Sequence, residues 1–537
     1  MILNNAGLKE QKAWQNAGFE LPQFDRAQVR ENTLKSPVWV HFGAGNIFRG
    51  FPAALQQKLL NERKSDRGII VCEAYDTEII DRIYRPCDNL SVLVVLKPDG
   101  NMEKKVIGSV VESLTVDSAK PENWKALQSI FANPSLQMVS FTITEKGYSL
   151  TNARGEYYPD VVSDFEAGAS WPKSFIGKLA ALCHVRYQNG KAPISLASMD
   201  NCSHNGTRLY QAVSAFAREW AKRGLVENGF VAYIENPEKV AFPWSMIDKI
   251  TPRPDLGVKE MLEESGLDST EIITTSKNTY IAPFVNAEEP QYLVVENLFP
   301  NGRPPLEDSG VIFTDRDTVD KVEKMKVCTC LNPLHTALAV YGCVLGYKAI
   351  YEETKDPQLK AFIEKIGFTE GLPVVINPGI VSPEAFIREV VNVRLPNPFV
   401  PDTPQRIATD TSQKLAIRFG ETIKAYQKRS DLKVTDLKYI PLVFAGWLRY
   451  LLAVDDNGEP FTLSPDPLLD HLKTIMKGIS LGDKGPFDEK LKPILSDASI
   501  FGVDLYEAGL AQQVLSYFNE LIQGPGAVRA TLKKYLP

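Results

Sequence analysis

The sequence predicts an α/β chain: a mostly parallel sheet domain over residues 1–300, then a mainly α-helical domain over residues 301–537. Three observations carry that expectation. Short apolar runs alternate with amphipathic segments through the first three hundred residues, the pattern of a parallel sheet covered by helices. The alternation stops at a turn-rich joint near 290–318, which includes Asn301-Gly-Arg-Pro-Pro305, and beyond it almost no strand pattern remains. At 537 residues the chain is also too long for one hydrophobic core.

Taken in order, residues 38–42 (Val-Trp-Val-His-Phe) and 69–73 (Ile-Ile-Val-Cys-Glu) are β-branched and aromatic runs, and both read as strands. The runs at 91–96, 137–143, 193–199 and 229–233 share that composition. Between them, 51–63, 120–132, 174–188 and 207–223 space their apolar residues as helices do. After the joint, helices are expected near 319–327, 333–353, 357–365, 382–393, 411–428, 441–454, 467–478 and 506–522. The segment Pro441-Leu-Val-Phe-Ala-Gly-Trp-Leu-Arg-Tyr-Leu-Leu452 is apolar nearly all round, so it should be buried.

The strand at 38–42 runs into Gly43-Ala-Gly45-Asn-Ile-Phe48-Arg49-Gly50 and then a helix. Gly43 permits a tight turn, and Gly45 lets the backbone approach a pyrophosphate, as in a Rossmann-type dinucleotide site. Phe48 stands where a third glycine usually falls. Glu73 closes the next strand, where a carboxylate can accept from the adenine ribose hydroxyls and repels a 2′-phosphate. The expected cofactor is therefore NAD rather than NADP, with Asp76 a second candidate for the ribose contact.

Bulk properties narrow the function classes. A net charge of −6 and a pI near 5.7 give no pull toward nucleic acid or anionic membrane. No run of eighteen or more apolar residues occurs, and the N-terminus lacks a signal pattern. Seven cysteines form no Cys-x-x-Cys pair, and five histidines form no His-Glu-x-x-His, so no metal is expected. The expectation is a cytoplasmic protein, a monomer or small homo-oligomer, with a small-molecule partner and neither nucleic acid nor membrane.

The chemistry concentrates in Lys326-Val-Cys-Thr-Cys-Leu-Asn332-Pro-Leu-His335. A lysine acting as a base needs a desolvated site. An Asn amide can donate to an oxygen gathering negative charge, and a neutral imidazole can orient the same oxygen. These are the parts for moving a proton on and off a secondary alcohol while a hydride leaves its carbon. The structural alternative is that Asn332 caps a helix begun by Pro333. Further polar clusters follow apolar runs at Ser140-Phe-Thr-Ile-Thr-Glu145-Lys-Gly-Tyr148 and Ser198-Met-Asp-Asn201-Cys-Ser-His204-Asn-Gly206.

Taken together, the chain resembles the polyol-specific long-chain dehydrogenases, the family of mannitol 2-dehydrogenase, fructuronate reductase and tagaturonate reductase. The resemblance rests on His41–Arg49, Thr142–Tyr148, Met199–Gly206, Asp248-Lys-Ile-Thr-Pro252 and Asn301-Gly-Arg-Pro304. That family's nucleotide loop also lacks the third glycine. The resemblance implies that Lys326 is the general acid/base, that Asn201 and Asn332 hold the substrate oxygen, and that His335 orients the substrate. It implies that Asp248, Arg406 and Lys414 contact the polyhydroxylated tail and that Glu323 lines the proton path. Gly43, Gly45, Asn46, Ile47, Arg49, Glu73, Asp76, Thr144 and Glu145 would contact the cofactor, and His204 reads as a structural turn residue.

The implied reaction is reversible, NAD-dependent interconversion of a keto-sugar acid or ketose with its aldonate or polyol. A hexuronate such as fructuronate is favoured, because Arg406 and Lys414 could pair a distal carboxylate. Mannitol 2-dehydrogenase and tagaturonate reductase activities are the alternatives within the family. A methyltransferase or a non-catalytic nucleotide-binding protein would share the glycine loop but have no use for Lys326, Asn201 and Asn332. One departure bears on the site. The family sets its lysine five residues before the asparagine and eight before the histidine; here the intervals are six and nine. On a regular helix Lys326 and Asn332 would diverge by about 240°. A π-type bulge or helix break around 328–332, ahead of Pro333, is therefore expected.

Overall fold

Six parallel strands form the central sheet of the computed structural model, which describes residues 1–118, 120–400 and 402–536. They are β1 (Trp39–Phe42), β2 (Ile69–Glu73), β3 (Val110–Thr115), β4 (Met138–Phe141), β5 (Ile194–Ser198) and β6 (Val240–Ala241). Their spatial order is β3-β2-β1-β4-β5-β6, with His41 paired to Val71 on one side and to Ser140 on the other. This is the doubly wound order of dinucleotide-binding folds, which bind ligands beyond the carboxyl ends of the strands where the order reverses, here between β1 and β4. Helices cover both faces. Val40 and Phe42 join a core with Phe131, Phe141 and Trp220, while Trp39 joins a second with Phe48, Leu59 and Met138.

Two readings change. Residues 229–233 are not a strand but part of the helix Asn228–Glu235, and the sixth strand follows at Val240–Ala241. The run at 91–96 is a strand, yet it belongs to a separate four-stranded sheet. There Ser91–Leu96 pairs antiparallel with Met102–Ile107 and parallel with Phe284–Glu288. A third sheet sets Ser245–Asp248 against Tyr292–Glu296.

The chain divides into two compact units, Met1–Asp320 and Lys321–Pro537. The second is helical, and among its described residues no strand joins a sheet. Its centre holds the helices Asn332–Leu345 and Tyr439–Tyr450, both largely buried and linked by the Tyr341 hydroxyl donating to the Leu442 carbonyl at 2.8 Å. The expected helix over 333–353 ends at Leu345, because Gly346 takes a left-handed conformation at φ +80°, and a short helix resumes at Ile350–Glu353. Four π-helical segments occur among the described residues of this unit: Lys326–Cys330, Lys365–Gly371, Val390–Arg394 and Ala416–Gly420. The helical run Arg316–Leu345 is long and apolar enough to cross a membrane by length and composition. Of its most apolar window, however, 72% is buried inside the protein, as in a core helix.

Candidate active site

The loop leaving β1 contains two glycines with different reasons to be glycine. Gly43 has φ +107°, and a Cβ there would lie 2.2 Å from the Thr142 carbonyl oxygen, so no side chain fits. Gly45 has an ordinary φ of −76°, and a Cβ built on it meets nothing within 4 Å. Packing within the protein does not require glycine at position 45; the open space beside its backbone fits a closely approaching pyrophosphate.

A relay of hydrogen bonds fixes this loop. The Trp39 indole donates to Ser140 Oγ at 2.7 Å, and the same oxygen lies 2.6 Å from His41 Nδ1. His41 Nε2 is hydrogen-bonded to Thr142 Oγ1 at 2.9 Å, and Thr142 donates to the Gly43 carbonyl at 3.3 Å. Burial pushes the His41 ring down to about 3, so it stays neutral. The ring stacks on Phe48 at a centroid distance of 4.1 Å, which accounts for a phenylalanine where a third glycine usually falls.

The acidic candidates are engaged by the protein itself. Glu73 Oε2 accepts from the Ala44 N–H at 2.7 Å, and Oε1 accepts from Ala74, Tyr75 and Asp76 at 3.0, 2.9 and 3.4 Å. Burial raises this carboxyl against those four bonds, and it clamps the glycine loop to the end of β2. Asp76 is buried and accepts from the hydroxyls of Thr275, at 2.6 Å, and Thr279. Asn46 donates to the Pro252 carbonyl at 3.1 Å. Arg49, wholly buried, donates to Asn46 Oδ1 at 2.9 Å and to the Ala282 carbonyl at 2.6 Å. Ile47, half-buried, packs on the core beside Phe48.

The loops after β4 and β5 are joined through Asp200. Its carboxylate accepts from the backbone N–H groups of Ile143 at 2.9 Å and Thr144 at 2.8 Å, and from the Tyr148 hydroxyl at 2.5 Å. Thr144 sits at φ +66°, ψ 161°, a conformation costing a non-glycine residue on the order of 1–3 kcal/mol. Asp200 holds it there. Next to Asp200, Asn201 is exposed. Asn205 donates to the carbonyls of Asp200 and Ser245, each at 3.0 Å, and so draws the strand Ser245–Asp248 alongside, with Asp248 buried at its end. Glu145 is exposed and paired with Arg208 at 3.0 Å. His204 occupies a left-handed turn at φ +53° and stacks on Trp244.

In the second unit, Lys326 is 3% exposed. It opens a π-helical turn, closed by the Leu331 N–H on the Lys326 carbonyl at 3.1 Å. Leu331, at φ −128° and ψ −61°, breaks the ladder, and a fresh helix starts at Asn332 with Pro333 next. A wide turn and a break thus fall between Lys326 and Asn332, as the spacing predicted. Asn332 and His335, three apart, share a helix face, and half-buried Glu323 precedes Lys326 by one turn.

Around His335 the structure gathers charge. Burial lowers the ring to about 4; Asp402, 3.6 Å away, opposes that shift, and Arg418, Arg406 and Arg394 reinforce it. Its buried Nε2 has no hydrogen-bond partner among the described residues. Arg406 is paired with Asp402, and Lys414 donates to the carbonyls of Thr409 and, at 3.5 Å, Ile407. Arg418 donates to the Thr336 hydroxyl, which donates to the Asn332 carbonyl at 2.8 Å. Asp200, Asp402, Arg394 and Arg418 were not singled out from the sequence. Asp200 stood inside a recognisable motif; the other three carry no local signal.

The chain matches the mannitol dehydrogenase Rossmann domain over residues 38–307 and the mannitol dehydrogenase C-terminal domain over residues 318–522. It is 54% identical over 536 residues to a D-mannonate oxidoreductase of Thermotoga maritima, covering 99% of each chain. It is 28% identical to a mannitol 2-dehydrogenase of Neosartorya fischeri, again over 99% of each. Among solved structures it is similar to the Pseudomonas fluorescens mannitol 2-dehydrogenase ternary complex with NAD and D-mannitol. There the TM-score is 0.69 at 26% identity, over 100% of this chain and 99% of that one. A substrate-free D-sorbitol dehydrogenase gives a TM-score of 0.81 at 25% identity, over 99% and 100%.

Proposed function

Because the chain belongs to the mannitol dehydrogenase family, we propose that it catalyses the reversible, NAD-dependent interconversion of D-mannonate and its keto-sugar acid, fructuronate. The observation that carries the choice of a sugar acid is the full-length similarity to the Thermotoga maritima D-mannonate oxidoreductase, at 54% identity. Oxidation removes one hydride and one proton from a carbinol. Bound NAD supplies the hydride acceptor. Gly43 and Gly45 would admit its pyrophosphate, with Thr144 and Glu145 following β4, and the negative charge of Glu73 disfavours a 2′-phosphate.

Lys326 takes the hydroxyl proton as the hydride leaves and returns it in the reductive direction. The amides of Asn201 and Asn332 donate to the oxygen as its charge develops; one such donor is typically worth about 3–4 kcal/mol of barrier. His335 orients the substrate as a neutral ring, since burial keeps it uncharged at neutral pH. Asp248, Arg406 and Lys414 contact the hydroxylated tail, and Glu323 lines the proton path. None of the seven cysteines is in a disulfide, which suits a reducing cytoplasm.

The test is a substrate panel: fructuronate, tagaturonate and fructose, each with NADH and with NADPH, followed by loss of the reduced-nicotinamide absorbance. Fructuronate with NADH should give the highest kcat/KM. A higher value for either other substrate, or equal use of NADPH, overturns the assignment. Nucleotide binding without any turnover would mark a non-catalytic protein.

A further inference from the structure

The cations near His335 are not equivalent. Arg406 is matched by the Asp402 carboxylate, and Lys414 is occupied by main-chain carbonyls. Arg418 differs from both. Its described hydrogen bond goes from one terminal nitrogen to a neutral hydroxyl, Thr336 Oγ1, and no carboxylate among the described residues pairs with it. The guanidinium is half-buried, and burial pulls it down to about 10 with no acid to offset the loss of water. It is still fully charged at neutral pH. A partly desolvated cation without a counter-ion is costly unless an anion completes it.

Position gives that anion a chemical identity. Thr336 follows His335 directly and donates to the carbonyl of Asn332, so Arg418 is tied to the turn that presents both candidate substrate-binding side chains. One of its five N–H groups is used, which leaves an edge of the fork for two parallel bonds to a carboxylate. We propose that Arg418 is the residue that recognises the carboxylate of the sugar-acid substrate and separates sugar acids from neutral polyols and ketoses. The inference rests on the sugar-acid reading above and assigns the charge recognition to a residue outside the Arg406–Lys414 pair.

The experiment is steady-state reduction of a keto-sugar acid (fructuronate) and a neutral ketose (fructose) at saturating NADH, by the parent protein, Arg418→Met, Arg418→Gln and Arg418→Lys. A charge-assisted pair lost from the site should lower kcat/KM for the acid by about tenfold to a hundredfold, mainly through KM. The acid-to-ketose ratio should fall by at least about tenfold, and Arg418→Lys should recover part of it. Arg418→Gln can keep a bond to Thr336, so it gives the same answer if the methionine variant is unstable. Equal losses for both substrates, or a loss confined to kcat, would mean that Arg418 only props the Asn332 turn. If the parent protein reduces fructose but not the keto-sugar acid, the sugar-acid reading itself fails, and this assignment with it.

Discussion

Replacing Gly45 by alanine separates the fold's requirements from the cofactor's. Its φ of −76° suits any residue, and nothing lies within 4 Å of the added methyl. The folded protein should therefore tolerate the change, gaining about 0.4–1 kcal/mol from the stiffer unfolded chain. The bound cofactor should not tolerate it. A methyl in that open space holds a pyrophosphate off the backbone; two charge-assisted bonds weakened by about 1.5 kcal/mol each total about 3 kcal/mol, a rise in Kd of about a hundredfold. Gly43→Ala is the contrast: φ +107° and a Cβ 2.2 Å from the Thr142 carbonyl oxygen predict destabilisation of more than about 2 kcal/mol. Thermal melting followed by intrinsic fluorescence, paired with an NADH fluorescence titration, reads both quantities. If Gly45→Ala binds NADH within about threefold of the parent, the cofactor does not approach the backbone there and the reasoning fails.

Two other outcomes follow from carboxyl groups. Glu353 is wholly buried, both its oxygens lack hydrogen-bond partners among the described residues, and burial pushes its pKa well above the ordinary 4.5. The fold holds this proton to higher pH than the unfolded chain does, so the side chain costs stability increasingly as pH rises above 4.5. Glu353→Gln should therefore raise the melting temperature at pH about 8 but not at pH about 4, and equal shifts at both would contradict the assignment. Asp200→Asn turns an amide toward donors now bonded to a carboxylate and releases the strained Thr144 turn. It should lower stability by about 1–3 kcal/mol and weaken NADH binding by about tenfold, in melting and titration; unchanged binding would remove that turn from the cofactor site.

The strands Trp39–Phe42 and Ile69–Glu73 were legible because each is a continuous buried run bounded by turn signals. Phe230-Val-Ala-Tyr-Ile234 misled for a physical reason. It is apolar almost throughout, so the helical spacing of its buried residues, Phe230, Tyr233 and Ile234, does not stand out from strand composition. The two-residue strand Val240–Ala241 is too short to carry a pattern at all. Pairing Ser91–Leu96 with Phe284–Glu288 depends on contacts nearly two hundred residues apart, which local propensity does not encode. In the site, the π-turn at Lys326 could be read from an interval one residue too long, and the departure of the loop from three glycines from Phe48. The partners that occupy Glu73, Asp76 and Lys414 could not, because they are supplied by distant segments or by the main chain.

The central claim is that Lys326 transfers the proton in an NAD-dependent oxidation of a sugar acid. The most direct measurement is single-turnover formation of NADH from D-mannonate by Lys326→Ala, with NADH affinity determined on the same sample. The account predicts a loss of about 10²–10⁴-fold in the rate of the chemical step with cofactor affinity retained. A variant that keeps its single-turnover rate and changes only KM would make Lys326 a binding group and contradict the mechanism.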